Sequence, residues 1–112
     1  MEYSQKFAKQ VLEFKELWDK TNQAIIADSV EYFLFKKYII CDTSTSRIKK
    51  IVEITGSKKE TVRSWLNKSR ENVKFPLLKL CELSVALGVD VGAFFEPYKI
   101  IIEDEQSEIE NS

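Results

Sequence analysis

Histidine is absent from the 112-residue chain. That removes the commonest general acid–base, the commonest zinc ligand and every Ser–His or Cys–His nucleophile pair. Only two cysteines occur, Cys41 and Cys81, forty residues apart and outside any CxxC, so a structural zinc site lacks ligands. The two could close one disulfide, but no apolar secretory segment follows Met1. Reduced thiols in a cytoplasmic protein are therefore expected. With three glycines and no GxGxxG or GxxxxGK[ST] pattern, no phosphate-cradling loop is expected. The longest apolar runs, Phe33-Leu34-Phe35 and Ile100-Ile101-Ile102, are far too short to span a bilayer. These absences leave no catalytic cluster, metal site, cofactor site or membrane span, and the chain is not expected to be an enzyme.

Hydrophobic residues make up 44% of the sequence, ordinary for a packed core. A chain of this size buries roughly two-thirds of its extended surface, enough to fold without metal or disulfide. The net charge of −1 argues at first sight against nucleic acid. Its distribution argues the opposite. Residues 46–80 carry ten Lys/Arg against three Asp/Glu, whereas residues 81–112 carry one Lys against eight Asp/Glu. The chain is thus dipolar, with a basic middle and an acidic end.

Few prolines and glycines, and no repeat, predict an all-α protein with short connections. Phe7, Val11, Phe14 and Trp18 fall on one helical face over residues 4–20, and Leu12 and Leu17 widen that stripe. Thr21-Asn22 breaks the chain and caps a second helix over 23–38, with Ile26, Val30, Phe33 and Leu34 inward. A polar loop at 41–46 precedes a short helix over 47–55, with Ile48, Ile51, Val52 and Ile54 inward. Gly56 interrupts it. Ser57 and Glu60 then have the spacing of a capping box, which restarts a helix whose buried stripe is Val62, Trp65 and Leu66. Pro76 suits the first position of the next helix, lined by Leu77, Leu80, Cys81, Leu83, Ser84 and Leu87 and ended by Gly88. Asp90 caps a last short helix that buries Phe94 or Phe95 and stops at Pro97. Residues 98–103 are β-branched enough for one short strand, and an acidic tail follows.

A short helix, a glycine turn and a second helix with a basic, polar outer face make a helix-turn-helix. Its second helix must stand clear of the body to fit the DNA major groove, about 12 Å wide. The first must hold it from behind by apolar contacts, here Ile48, Ile51 and Val52 against Val62, Trp65 and Leu66. The segment from Thr55-Gly56-Ser57 to Trp65-Leu66 resembles the helix-turn-helix of the lambda-repressor and Cro-like (XRE) DNA-binding family. Leu80 through Leu87-Gly88-Val89-Asp90-Val91 to Phe94-Phe95-Glu96 resembles that family's fourth and fifth helices. The likeness covers roughly residues 24–96 and departs where Val52 replaces the usual Ala, where Ser57 replaces the usual apolar residue, and where Leu66-Asn67-Lys68-Ser69 replaces the usual Glu-x-Gly turn.

The resemblance implies a five-helix lambda repressor-like domain over residues 22–97; outside it, the residue pattern adds an N-terminal helix over 1–21 and a candidate short strand with an acidic tail over 98–112. It implies a sequence-specific transcriptional regulator of phage or mobile-element type, a repressor-like homodimer on an inverted repeat in double-stranded DNA. Base-edge contacts would come from Lys58, Lys59, Glu60 and Ser64, with Thr61 and Arg63 beside them. Lysine or arginine suits guanine O6/N7, and Glu60 suits cytosine N4 unless the capping box engages it. Phosphate contacts would come from Thr45, Ser46 and Arg47 on one side and Asn67, Lys68, Arg70 and Lys74 on the other. The alternative is a protein-interaction or antitoxin-type module whose helix-turn-helix is idle. Its N-terminal helix or acidic tail would then engage a protein partner. The strand at 98–103 would pair with a second subunit, pack on its own chain or stay frayed. Trp65 is expected in the core, and so is Cys81 as an inert small hydrophobe.

Overall fold

The computed structural model describes residues 2–38, 40–69 and 74–97, with side chains from Phe7 onward. The described residues form five α-helices and one 3-10 helix and contain no strand, so the protein is all-α as its sequence pattern implies. The strand and tail expected after Pro97, Arg70, and the outermost turn of the N-terminal helix lie outside the described side chains.

Helix α1 spans Glu2–Lys20, and its stripe of Phe7, Val11, Phe14 and Trp18 packs into the core. Its main neighbours are the later helix Leu77–Leu87 and the 3-10 helix. Phe14 stacks on Phe95 with centroids 6.1 Å apart. Leu12 and Leu17 do not widen that stripe: they are 78% and 44% exposed. The 100° step per residue carries Leu12 to the far side of the helix and leaves Leu17 on its flank, about a quarter turn from the stripe.

Helix α2, Gln23–Lys37, starts where Asn22 Oδ1 accepts from the Ala24 N–H at 2.8 Å, as the sequence implies. It runs through the middle of the core, with Ile26, Val30 and Leu34 fully buried. Helix α3, Ser44–Thr55, begins a turn earlier than the apolar period indicates. Thr43 Oγ1 accepts from the Ser46 N–H at 3.1 Å, and this cap draws residues 44–46 into the helix.

Gly56 ends α3 with φ +72°, and its N–H donates to Val52 O at 2.9 Å. A Cβ added there would touch nothing within 4 Å, so its conformation is what demands glycine. Gly56→Ala is expected to cost about 1–2 kcal/mol in urea unfolding, and Gly56→Asn less, because asparagine tolerates the left-handed region better. Equal stability of Gly56→Ala and wild type would contradict that account.

Helix α4, Lys59–Trp65, does not start with the expected capping box. Lys58 occupies the cap position and no side chain bonds there. The Ser57 N–H is instead taken by Thr55 Oγ1 at 3.3 Å. With Gly56 left-handed, the hydroxyl one residue before it reaches that N–H. Glu60 remains exposed.

Helix α5, Leu77–Leu87, is preceded by Pro76 at its cap rather than at its first helical position. The six inward residues expected on it are all buried. Gly88 closes it with φ +69°. The final element is a 3-10 helix, Val91–Phe95, in which both Phe94 and Phe95 are buried. Phe75, fully buried on the short approach to α5, escaped the sequence pattern.

Candidate nucleic-acid interface

The outer face of α4 is built from its inner one. Val62 is fully buried and Trp65 is 7% exposed, against Ile48 and Ile51 of α3 in the same core. Anchoring i and i+3 inward turns the intervening positions outward. Lys58, Lys59, Glu60, Thr61 and Arg63 are exposed, and Ser64 is half-buried with its Oγ donating to Thr61 O at 2.7 Å. Among the described residues, Lys58, Lys59, Glu60 and Arg63 have no ion-pair or hydrogen-bond partner through their side chains. The six expected base-contacting residues therefore fall on one short helix and its cap residue, Lys58. Three of its cations are free of intrachain charge partners among the described residues.

The second set divides. Thr45 is exposed in the first turn of α3, where the leading N–H groups lack intrahelical acceptors. Ser46 shares a 2.8 Å hydrogen bond with the Thr43 hydroxyl. Arg47 faces inward. Its Nε lies 2.7 Å from Glu31 Oε2, its Nη1 donates to Cys41 O at 3.1 Å, and its side chain is 11% exposed. Across the turn, Asn67 is exposed and its Oδ1 accepts from the Ser69 N–H at 3.1 Å and hydroxyl at 2.7 Å.

Lys68 bridges Asp28 at 2.6 Å and Glu31 at 2.9 Å. Burial pulls its ammonium pKa down, but the hydrogen bonds to both carboxylates outweigh this and hold it above the usual lysine value. Lys74 is spoken for as well. Its Nζ donates to Asp19 O at 3.0 Å and lies 4.6 Å from the centroid of the Trp18 ring. Burial lowers its pKa, only partly countered by Asp19. So Arg47, Lys68 and Lys74 brace the fold around α4, while Thr45 and Asn67 stay open to solvent.

Two polar residues that the sequence pattern did not single out perform this bracing. Glu31 joins α2 to Arg47 and Lys68 on either side of the helix pair. Gln23, at the start of α2, donates its Nε2 to Trp65 O and accepts the Phe75 N–H on Oε1 at 2.8 Å. It ties the end of α4 to the approach to α5. Trp18 adds a bond from Nε1 to Phe75 O at 2.7 Å. Both Gln23 and Glu31 are polar residues at inward positions, and that is the signal that marks them.

Both cysteines are buried free thiols. Burial raises the Cys41 pKa despite nearby Lys50 and Arg47, and it raises that of Cys81. Neither thiol is an activated nucleophile. Among the described residues no group of three His, Cys, Asp or Glu is arranged to hold a metal, and no helix is long and apolar enough to cross a membrane. No family model, curated protein or solved structure matches the chain.

Proposed function

We propose that the protein is a sequence-specific double-stranded-DNA-binding regulator of the lambda-repressor type, with α3 and α4 as its helix-turn-helix. The observation that carries this reading is the face of α4: Lys58, Lys59 and Arg63 exposed on a helix whose opposite side is locked into the core by Val62 and Trp65. Cations without partners supply phosphate attraction and donors for base edges. Glu60, released from the capping box, is available to accept from cytosine N4. Thr45, with the leading N–H groups of α3, supplies a phosphate contact on one flank, and Asn67 supplies one on the other. A repressor-like homodimer on an inverted repeat is the assembly that goes with this fold.

Selection of sites from a random duplex pool tests this directly, with a palindromic consensus as the expected result. No enrichment, together with no retention on heparin at low salt, would sink the reading. Within the selected site, Lys59→Ala is expected to weaken binding about tenfold to a hundredfold, the scale of one base contact, while changing affinity for random duplex far less. Arg70→Ala is expected to weaken both alike. Fluorescence anisotropy over a salt series separates the two, and equal losses on both duplexes for Lys59→Ala would remove its base-reading role.

A further inference from the structure

Lys58, Lys59 and Arg63 present a net positive surface with Glu60 as the single carboxylate among them. Several other lysines of the fold are differently placed: Lys9, Lys15 and Lys20 on α1 are interspersed with Glu13, Glu16 and Asp19, and Lys36 and Lys37 stand near the Tyr32 and Tyr38 rings. Lys49 on α3 is exposed as the α4 cations are. The described chain stops at Pro97. Ser29 Oγ of α2 donates to Glu96 O at 2.5 Å. Asp28, the residue before Ser29, holds Lys68 at 2.6 Å, three residues past the end of α4. The exit of the last helix and the exit of α4 thus meet on one turn of α2. Beyond Pro97 come Glu103, Asp104, Glu105, Glu108 and Glu110, with no lysine or arginine after Lys99. At about 3.3 Å per residue, Glu103 lies within about 20 Å of Pro97 and Glu110 within about 43 Å. The molecule measures 51 × 27 × 27 Å; because the last helix and the exit of α4 are both held by adjacent residues of α2, a tether of up to about 43 Å spans the distance to α4.

We propose that residues 103–110 dock on the exposed face of α4 in the same chain, their carboxylates facing Lys58, Lys59 and Arg63. The contact is electrostatic and weakens as salt screens it. It needs no nucleic acid; only its displacement by a DNA backbone rests on the function proposed above. Docking of this kind makes the protein bind a polyanion only where the polyanion outcompetes its own acidic segment. It also reconciles a near-neutral chain with a basic helix.

Carbodiimide cross-linking of the full chain at low salt, with peptides mapped by mass spectrometry, tests the contact. An amide between a carboxylate of 103–110 and Lys58 or Lys59 is expected. Mixing isotope-labelled and unlabelled protein should yield no mixed cross-link. Absence of the amide, its equal formation with Lys9, Lys15 or Lys36, or formation only between copies overturns the proposal. A second arm uses the full chain with E103Q, D104N, E105Q, E108Q and E110Q. Amide shifts of residues 58–66 should differ from wild type at low salt and coincide at about 0.5 M, where screening is short-ranged; coincidence at both salts overturns docking. If the segment covers α4 nine-tenths of the time, the neutralised chain binds mixed duplex about tenfold more tightly at low salt. Cross-links and shifts without duplex binding by either chain would leave the docking standing and remove the DNA reading. Duplex binding without cross-links or shifts would do the reverse.

Discussion

Glu31→Ala is expected to cost about 3–5 kcal/mol of folding stability, the range for removing one partner of a buried ion pair. The Glu31 side chain is 9% exposed, and its two oxygens meet Arg47 Nε at 2.7 Å and Lys68 Nζ at 2.9 Å. Alanine leaves Lys68 with Asp28 at 2.6 Å, so the loop after α4 keeps a partner. Arg47 keeps only Cys41 O at 3.1 Å and no counter-charge among the described residues. An uncompensated guanidinium of 11% exposure dominates the loss. Replacing both partners removes the stranded charge, and Glu31→Ala with Arg47→Met is expected to recover most of it. Urea unfolding followed by tryptophan fluorescence checks both variants. A single-variant loss under about 1 kcal/mol would mean that the pair behaves as an exposed one.

The network has a structural consequence. Arg47 stands in the first turn of α3 and Lys68 follows α4, so one carboxylate on α2 holds the two outer ends of the helix pair. Sequence spacing placed both cations correctly beside the helices but could not show which way they face. Arg47 at the start of a helix and Arg63 in the middle of one look equally available in the sequence; what distinguishes them is a glutamate sixteen residues before Arg47. The periodic parts were legible for a physical reason: buried stripes repeat at the helical period, and glycine stands where φ is positive. The face of α4 follows from the inward position of Val62 and Trp65 by geometry alone. The turn was less legible, because Ser57 with Glu60 and Thr55 with Ser57 compete for the same N–H, and a left-handed Gly56 decides between them. Nor does spacing reveal Gln23 reaching Trp65 and Phe75, 42 and 52 residues away. Phe75 did leave a trace. It stands before the cap of α5 with Leu80 four residues past that cap, the spacing of a hydrophobic staple, and both are fully buried.

Phe75→Ala is expected to lose about 3–5 kcal/mol, the cost of a large cavity in a core that relaxes only partly. Its ring lies 5.1 Å from the Trp65 ring, centroid to centroid. Its backbone bonds, from the Phe75 N–H to Gln23 Oε1 and from Trp18 Nε1 to Phe75 O, survive the substitution. The loss therefore reports the ring rather than the clasp. Phe75→Leu fills much of the space and should cost about 1–2 kcal/mol. Urea midpoints at unchanged slope give both values, and equal losses for Ala and Leu would show that shape at this site is not what matters. Trp65 is the inward anchor at the end of α4, so a gap beneath it frees that helix to tilt while its cations remain in place. On the DNA-binding reading, Phe75→Ala, assayed where it is still folded, should keep its affinity for mixed duplex, which needs only charge. It should lose affinity for the selected site, which needs the helix held at a fixed angle. Equal retention on both duplexes would mean that α4 is positioned without Trp65, by Val62 and the Gln23 clasp alone.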